Sequence, residues 1–165
     1  MAIVIREMAA DDWASVRLIY LAGIATGQAT FETEAPNWTD WNHAHLPAPR
    51  LVAVSDETVV GWAALSPVSK RSPYAGVAEV SVYVGENMRG RGVGSLLLDA
   101  LVTQSESVGI WTLQASIFPE NSASVSLHKS CGFREVGTRR RIGKLNDIWR
   151  DTVLLERRSE AVGRE

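Results

Sequence analysis

The sequence predicts a single mixed α/β domain whose central sheet contains one parallel pair of strands. A chain of 165 residues has the length of one domain with one substantial core. Residues 77–132 alternate strand, helix, strand and helix, which implies parallel neighbours, and the first half of the chain adds antiparallel strands. We therefore expect one domain over residues 1–158, followed by a polar, frayed tail over residues 159–165.

The first strand and the first helix follow from short apolar patterns. Residues 3–5 are all β-branched and predict a strand. Asp11 or Asp12 can cap the next helix, and Gly27 can end it. The apolar face of this helix consists of Val16, Ile19, Tyr20 and Ile24. Residues 28–37 then read as a loop or a short extended piece.

The middle of the chain predicts a short helix followed by a hairpin. The helix covers residues 39–46 and ends at Pro47. Two apolar runs, residues 51–54 and 59–65, flank a polar turn and predict two antiparallel strands. Residues 66–76 are polar and predict a loop.

The second half predicts the strands and helices of the parallel pair. Residues 77–84 are rich in β-branched residues and predict a central strand, and residues 85–94 are rich in glycine. The next helix carries an apolar stripe of Val93, Leu96, Leu97, Ala100 and Leu101. Residues 110–118 predict a strand, residues 121–131 a helix closed by a glycine, and the chain from residue 133 a final pair of strands.

Composition excludes several classes of protein. The 17 Lys and Arg residues against 19 Asp and Glu give a formal charge of −2, without the basic excess of a nucleic-acid or membrane-surface binder. The apolar runs are far shorter than the roughly 20 residues of a membrane span, and the N-terminus turns polar too soon for a signal peptide. A single cysteine, Cys131, suits a reducing compartment, so we expect a cytoplasmic protein. Asp40, His43 and His45 match metal-ligand spacing only weakly, so no metal is expected.

The sharpest local signal is Arg-Gly-Arg-Gly-Val-Gly-Ser over residues 89–95, between a buried strand and a long helix. Glycines let backbone N–H groups approach a ligand, and the helix N-terminus adds unpaired donors, which together favour a phosphate or pyrophosphate. A Rossmann loop needs a third glycine where Leu97 stands. A P-loop needs Ser or Thr after Gly143 and Lys144, where the chain has Leu145. The remaining alternative is a turn without a ligand.

Two motifs resemble hallmarks of the GCN5-related N-acetyltransferase family. Arg89-x-x-Gly92-x-Gly94, after a central strand, is similar to that family's acetyl-CoA pyrophosphate loop. Residues 121–133, with the pattern Asn-x-x-Ser-x-x-Leu-His-Lys-x-x-Gly-Phe, are similar to its helix beside the pantetheine arm. The resemblance extends over essentially the whole chain. It implies a sheet of six to seven strands with a splayed parallel pair at the centre, about four flanking helices, and acetyl-CoA as cosubstrate.

A narrower resemblance is to the branch that acetylates phosphinothricin, methionine sulfoximine and methionine sulfone. It is carried by Ala-Thr-Phe-Glu at residues 29–32, by Ala-Glu-Val-Ser-Val-Tyr-Val at residues 78–84, and by His128, where most relatives have tyrosine. The branch often has Trp-His-Asp near its C-terminus, where this chain has Trp-Arg-Asp at residues 149–151. We therefore transfer no substrate contact from this part of the chain.

The resemblance assigns the acetyl-CoA contacts to three places. Backbone N–H groups of the splayed strand would polarise the thioester oxygen, and the candidates are Tyr83 and Val84. Val82 on the same strand is a further candidate for contact with the cofactor. The diphosphate would lie against Arg89, Gly90, Arg91, Gly92, Val93, Gly94 and Ser95. Lys129 on the following helix belongs to the same set. Asn121 would either bind the pantetheine or cap its own helix, and both readings stay open.

Two side chains are candidates for proton transfer. Glu79 places a carboxylate in an otherwise apolar strand, an unfavourable position unless it is paired or protonated, which suits a base that accepts the amine proton directly or through water. Its alternative is an outward, solvated position. His128 is the candidate acid for the leaving thiolate, against the ordinary reading of a surface or satisfied histidine. Cys131 lies on the apolar face of its helix and reads as core rather than as a nucleophile.

Four residues are candidates for substrate binding. Arg71 and Tyr74 precede the strand of Glu79, and an arginine fork matches a carboxylate or a phosphinate. Through the resemblance, Phe31 provides an aromatic wall and Glu32 meets the substrate ammonium. The alternatives are a core position for Phe31 and a solvated loop for Arg71.

Together these observations predict an N-acetyltransferase that moves the acetyl group of acetyl-CoA to the α-amino group of a small amino-acid analogue. Direct attack in a ternary complex is favoured because no positioned Cys–His pair is evident. Two alternatives stay open: acetylation of another amine (a protein N-terminus, a polyamine or an aminoglycoside), and a non-catalytic acyl-CoA-binding module. The expected partners are a small-molecule amine and, from the family, a second copy in a homodimer, with no nucleic acid and no membrane.

Overall fold

The computed structural model describes residues 2–165, over which the chain forms seven strands and four α-helices. The strands are β1 (Val4–Glu7), β2 (Arg50–Ser55), β3 (Thr58–Pro67), β4 (Val77–Val84), β5 (Thr112–Ile117), β6 (Arg134–Leu145) and β7 (Ile148–Arg158). The helices are α1 (Trp13–Ala25), α2 (Trp38–Ala44), α3 (Val93–Ser107) and α4 (Ser122–Ser130). Short 3-10 turns cover Ala10–Asp12, Ser72–Tyr74 and Glu86–Met88. The predicted order of elements is confirmed.

All seven strands form one sheet in the order β1-β2-β3-β4-β5-β7-β6. Neighbouring strands are antiparallel except β4 and β5, which are parallel. The parallel pairing extends only from Val77 opposite Thr112 to Glu79 opposite Gln114. Beyond this point β4 still pairs with β3 and β5 with β7, but β4 and β5 no longer pair with each other, so they separate and leave a gap in the sheet. The predicted mixed sheet with a splayed central pair is confirmed.

The two faces of the sheet carry two different cores. Helices α3 and α4 cover an aliphatic core that includes Val80 and Leu97. Helices α1 and α2 lie on the opposite, aromatic side, where Trp62 is buried and Tyr83 packs at the edge. Because side chains alternate along a strand, β4 points Val80 toward the aliphatic core and points Glu79 toward the other face.

The C-terminal segment, residues 159–165, was expected to be frayed, but its first part packs on the domain. Ser159 is buried, and its hydroxyl donates to the carboxylate of Glu106 and accepts backbone N–H bonds from the next turn. A Cβ atom on Gly163 would lie 2.9 Å from Trp111. The segment is held mostly by hydrogen bonds rather than by apolar packing. Its polar composition therefore did not indicate that it contacts the domain.

The helices in the described chain are short. The longest, α3, has 15 residues, and none in residues 2–165 is long and apolar enough to cross a membrane. In the same residues, no three His, Cys, Asp or Glu side chains are grouped as metal ligands. His45 stacks on Trp41 at a ring distance of 4.1 Å, whereas Asp40 and His43 are exposed.

Candidate active site

The gap between β4 and β5 opens into two adjoining cavities. The first, of about 550 Å³, lies at the start of α3, and we call it the α3 cavity. The second, of about 300 Å³, lies between β4, β5 and residues 29–32, and we call it the Glu79 cavity. Residues that line both are Ala29, Val82, Tyr83, Asn121 and Ser124. The two cavities therefore form one continuous cleft through the splayed region of the sheet.

The α3 cavity is built largely from backbone. Among its lining residues are the predicted Arg89, Gly90, Gly92, Val93, Gly94 and Ser95. Gly90 and Gly92 have φ angles of +73° and +83°, which favour glycine, and they turn the chain into the helix. The first N–H groups of a helix have no partner within it, and at the start of α3 the N-cap residue is Gly92, which has no side chain to cap them. A Cβ atom on Gly94 would lie 3.1 Å from Leu127, so glycine there lets α4 approach. Unpaired N–H groups at the start of a helix favour an anionic ligand.

The register of β4 decides which backbone groups face the gap. The N–H of Gly85 donates to the C=O of Val60 at 2.8 Å, and the pairing of β4 with β3 continues from there without a bulge. Hydrogen-bonded pairs alternate in an antiparallel ladder, so Tyr83 directs its N–H toward β3, whereas Val82 and Val84 direct theirs into the gap. Tyr83 thus contributes its ring rather than its amide to the cleft, which differs from the prediction.

The ring of Tyr83 forms an aromatic wall where the two cavities meet. It stacks on Trp62 with centroids 4.9 Å apart and an interplanar angle of 11°, and it lies 5.0 Å from the ring of Tyr20. Burial raises the pKa of the Tyr83 phenol and also the pKa of Tyr20. Both hydroxyls therefore remain protonated at neutral pH, and this wall of the cleft carries no charge.

Glu79 lies half-buried in the Glu79 cavity, where β4 and β5 begin to separate. Its Oε1 accepts hydrogen bonds from Gln114 Nε2 at 3.1 Å and from Ser116 Oγ at 3.4 Å. Both donors are neutral and lie on β5, across the gap. The carboxylate is therefore held in place without a neutralising cation, and it faces a cavity from which it can accept a proton.

His128 is 5% exposed, and its ring lines the Glu79 cavity and packs edge-on against Phe133. Its Nδ1 lies 2.7 Å from the C=O of Ser124. A carbonyl oxygen only accepts, so Nδ1 carries the hydrogen and Nε2 of the neutral ring has a lone pair. Burial lowers the pKa of His128 below its ordinary value of 6.5, so the ring is neutral at pH 7. In that state, Nε2 accepts a proton rather than donating one.

Asn121 caps α4 and also reaches across the cleft. Its Oδ1 accepts from the N–H of Ser124 at 3.2 Å, which is the cap, one of the two roles that the sequence left open. Its Nδ2 donates to the C=O of Gln28 at 3.1 Å. The side chain lines both cavities while both of its polar atoms are engaged in holding the walls.

The segment of residues 29–32 forms the outer wall of the Glu79 cavity. The ring of Phe31 meets the ring of Phe118 edge to face at 4.9 Å, and a Cβ atom on Gly143 would lie 3.1 Å from it. Glu32 is exposed at the rim of the same cavity. The structure therefore brings both predicted substrate residues of this segment to the cleft.

Four predicted contact residues lie outside both cavities. Arg71 and Tyr74 are exposed in the loop between β3 and β4, where the guanidinium lies 5.5 Å from the tyrosine ring. Lys129 pairs with Glu135 at 3.0 Å on the surface. Arg91 is exposed and does not line the α3 cavity. Within a single chain, these four residues are not brought to the cleft.

Several cavity residues were not predicted as site residues by sequence analysis. They include Ser116, Phe118 and Thr152. Thr152 is 4% exposed and reaches the cavity because β7 pairs with β5 beside the gap. The only signal for Thr152 in the sequence was a polar residue next to an apolar run, and this signal could not show that its strand, β7, pairs with β5.

These features define a family. The chain matches the family model described as "Acetyltransferase (GNAT) family" over residues 11–133, and it belongs to this family. It is an acetyl-CoA-dependent N-acetyltransferase. The family resemblance stated from the motifs is confirmed.

Its similarity to individual members is also substantial. It is 34% identical over 163 residues to phosphinothricin N-acetyltransferase of Alcaligenes faecalis, with 94% of this chain and 82% of that protein covered. It is 32% identical over 135 residues to the L-methionine sulfoximine/L-methionine sulfone acetyltransferase of Pseudomonas aeruginosa, with 81% and 73% covered. The structure of a phosphinothricin acetyltransferase from Sinorhizobium meliloti in complex with acetyl-CoA superposes with a TM-score of 0.85 at 26% identity, covering 99% of this chain and 97% of that one.

Proposed function

We propose that this chain acetylates the α-amino group of a small amino-acid analogue of the phosphinothricin, methionine sulfoximine or methionine sulfone type. The observation that carries the proposal is one cleft in which the free amides of α3 adjoin, through the gap in the sheet, the carboxylate of Glu79. Relatives named for acetyl transfer to these analogues support the choice of acceptor.

Acetyl-CoA would bind in the α3 cavity and supply a thioester carbonyl. Its diphosphate would accept hydrogen bonds from the N–H groups at the start of α3, where Gly90 and Gly92 place no side chain over the cradle. The N–H of Val82 or Val84, directed into the gap, would polarise the carbonyl oxygen. The acceptor amine would occupy the Glu79 cavity.

Two protons leave the acceptor nitrogen as one N–C bond forms and one C–S bond breaks. Glu79 would accept the proton that an ammonium must lose before its nitrogen can attack. Nε2 of His128 would accept a second proton from the attacking nitrogen and return it, from the imidazolium, to the departing sulfur. His128 thus performs the predicted acid step only after taking up a proton in the same cycle, which is consistent with its neutral resting state.

An acetyl-enzyme on cysteine is disfavoured. Burial, together with Asp99, raises the pKa of the Cys131 thiol to about 11. The residue also lines neither cavity. A protonated thiol outside the cleft is a poor nucleophile, which supports direct attack by the amine.

The charge of the Glu79 cavity favours a second class of acceptor. Its charged lining consists of Glu32 and Glu79, and no lysine or arginine from residues 2–165 lines it. A free carboxylate would meet no cation there, whereas a cationic amine would meet two carboxylates. We therefore retain a polyamine or another carboxylate-free amine as the second candidate.

The test is a thiol-release assay with acetyl-CoA and matched acceptors. The panel contains methionine sulfone and its carboxamide, methionine sulfoximine, phosphinothricin, spermidine and a short peptide. We expect the free acids to be the best substrates. A preference for the carboxamide or for spermidine would select the second candidate, and no release with any amine would overturn both acceptor assignments.

A further inference from the structure

One arginine behind the wall of the cleft contacts the segments that form it. The side chain of Arg150, on β7, is 14% exposed. Its Nη1 donates to the C=O of Gly27 at 3.0 Å, and its Nη2 donates to Gln28 Oε1 at 2.8 Å. Nη2 also lies 3.4 Å from a carboxylate oxygen of Glu120. The central carbon of the guanidinium lies 3.9 Å from the ring centroid of Phe118.

These contacts join three parts of the chain that are distant in sequence. Gly27 and Gln28 follow α1 and lead directly into the outer wall, residues 29–32. Phe118 follows β5 and leads into α4. Residues 29–32 and Phe118 both line the Glu79 cavity. One side chain on β7 therefore contacts both segments, which meet at the rings of Phe31 and Phe118 in the wall of that cavity.

We propose that Arg150 is a positioning residue for the acceptor. This proposal rests on the proposed function, in which the Glu79 cavity receives the acceptor. The guanidinium holds the segment of residues 29–32 in place, so that Phe31 and Glu32 stay across the cavity from Glu79. Arginine suits this task because its rigid fork reaches two acceptors at once while its flat face stacks on an aromatic ring.

Arg150 acts through its neighbours rather than on the substrate. It lines neither cavity, and its nitrogens are engaged by Gly27, Gln28 and Glu120. Asn121 also holds the C=O of Gln28 and Phe31 packs against Phe118, so removal of Arg150 should loosen the segment without releasing it. The sequence alone marked this position only as a departure from the Trp-His-Asp pattern.

The first test measures amide hydrogen exchange and needs no substrate. The variants are Arg150→Met and Arg150→Lys, and the matched control is Arg134→Met, which removes an arginine that pairs with Glu156 on the same β6–β7 hairpin. We expect exchange at the amide of Glu32, which donates to Thr30 Oγ1 at 3.1 Å, to be about tenfold faster in Arg150→Met, intermediate in Arg150→Lys and unchanged in Arg134→Met. Exchange equal to wild type in Arg150→Met would overturn the proposal. Should Arg150→Met not fold, Gln28→Ala removes one of its acceptors and should act in the same direction.

The second test separates positioning from general stability. In Arg150→Met, we expect the KM for the acceptor to rise about tenfold, with kcat and the Kd for acetyl-CoA changed less than about twofold, and Arg150→Lys should recover part of the loss. A fall in kcat with an unchanged acceptor KM would overturn the proposal. If the wild type acetylates no amine, the proposed function fails, and the exchange measurement still decides whether Arg150 holds the wall.

Discussion

The two halves of the cleft are built in different ways. The α3 cavity depends on backbone groups, and six of its lining residues come from one short segment, residues 89–95 without Arg91. The Glu79 cavity depends on side chains from β4, β5, α4, β7 and the segment after α1. A backbone cradle is specified by one local motif, whereas a side-chain cavity is specified by which strands and loops the fold places together. Ligand binding in the α3 cavity should therefore be sensitive to substitutions that change the backbone conformation. The function of the Glu79 cavity should be sensitive to substitutions that change the chemical groups of its side chains.

The largest effect is expected from Glu79→Gln. The amide keeps the shape of the side chain but removes the acceptor of the amine proton, so kcat should fall by about 10²–10⁴-fold. The Kd for acetyl-CoA, measured by calorimetry, should be unchanged because Glu79 does not line the α3 cavity. The control is Glu57→Gln, which changes an exposed carboxylate in the β2–β3 turn. Unchanged turnover in Glu79→Gln would remove this residue as the base.

His128→Gln is expected to have the next largest effect, a loss of about 100-fold in kcat at pH 7.5. The pH dependence follows from the lowered pKa of His128. Its ring is neutral above pH 6.5 in both the folded and the unfolded chain, and the unfolded chain takes up a proton first as the pH falls. The contribution of His128 to the free energy of unfolding is therefore fully present above pH 6.5 and is lost as the pH falls below it. We expect kcat to fall as well when the pH is lowered, because the ring then becomes protonated.

His45 is the matched control for His128. Its Nδ1 lies 2.7 Å from the C=O of Trp41, and burial lowers the pKa of His45 too, but it lines neither cavity. His45→Gln should reduce the acid sensitivity of stability and leave the acid fall of kcat in place. A wild-type kcat that rises toward acid pH would instead mean that His128 starts the cycle as an imidazolium.

Gly92→Ala should weaken acetyl-CoA binding about tenfold and change kcat little. Alanine at a φ of +83° costs about 1–2 kcal/mol, and relief of that strain would turn the first N–H groups of α3 out of line. Gly109→Ala is the control at the other end of the same helix, with a φ of +84° and nothing within 4 Å of the added Cβ. Both variants should lose similar stability, measured by denaturant unfolding. Equal Kd values for acetyl-CoA in the two variants would contradict the proposal that the N–H groups at the start of α3 bind the diphosphate.

The same contrast explains how much could be predicted from sequence. The glycine loop and the central strand were predicted in place because the signals for both are contiguous. In the Glu79 cavity, Glu79 was predicted from its carboxylate in an apolar strand and Phe31 through the resemblance. Thr152 was not predicted, because nothing in its own segment reveals that β7 pairs beside the gap. The Tyr83 amide was misassigned for a similar reason, since only the register with β3 decides which amides are free.

The smallest effect is expected from Arg71→Ala. The sequence predicted that this change raises the KM for an amino-acid acceptor more than the KM for acetyl-CoA. In the structure, the guanidinium is exposed on the ring of Tyr74 and lines neither cavity, so within one chain its removal should change either KM by less than about twofold. Steady-state kinetics with methionine sulfone, using Lys70→Ala as the control from the same loop, measures this.

A rise of tenfold or more, confined to the acceptor KM, would contradict the single-chain geometry. Arg71 would then have to enter the Glu79 cavity of another copy, because its own loop ends outside the cleft. Such a contribution requires association, so the acceptor KM of the wild type would depend on protein concentration. A concentration-independent KM together with a small effect of Arg71→Ala would leave Glu32 and Glu79 as the charged side chains that line the cavity for the acceptor, and the acceptor panel then decides between the two candidate classes.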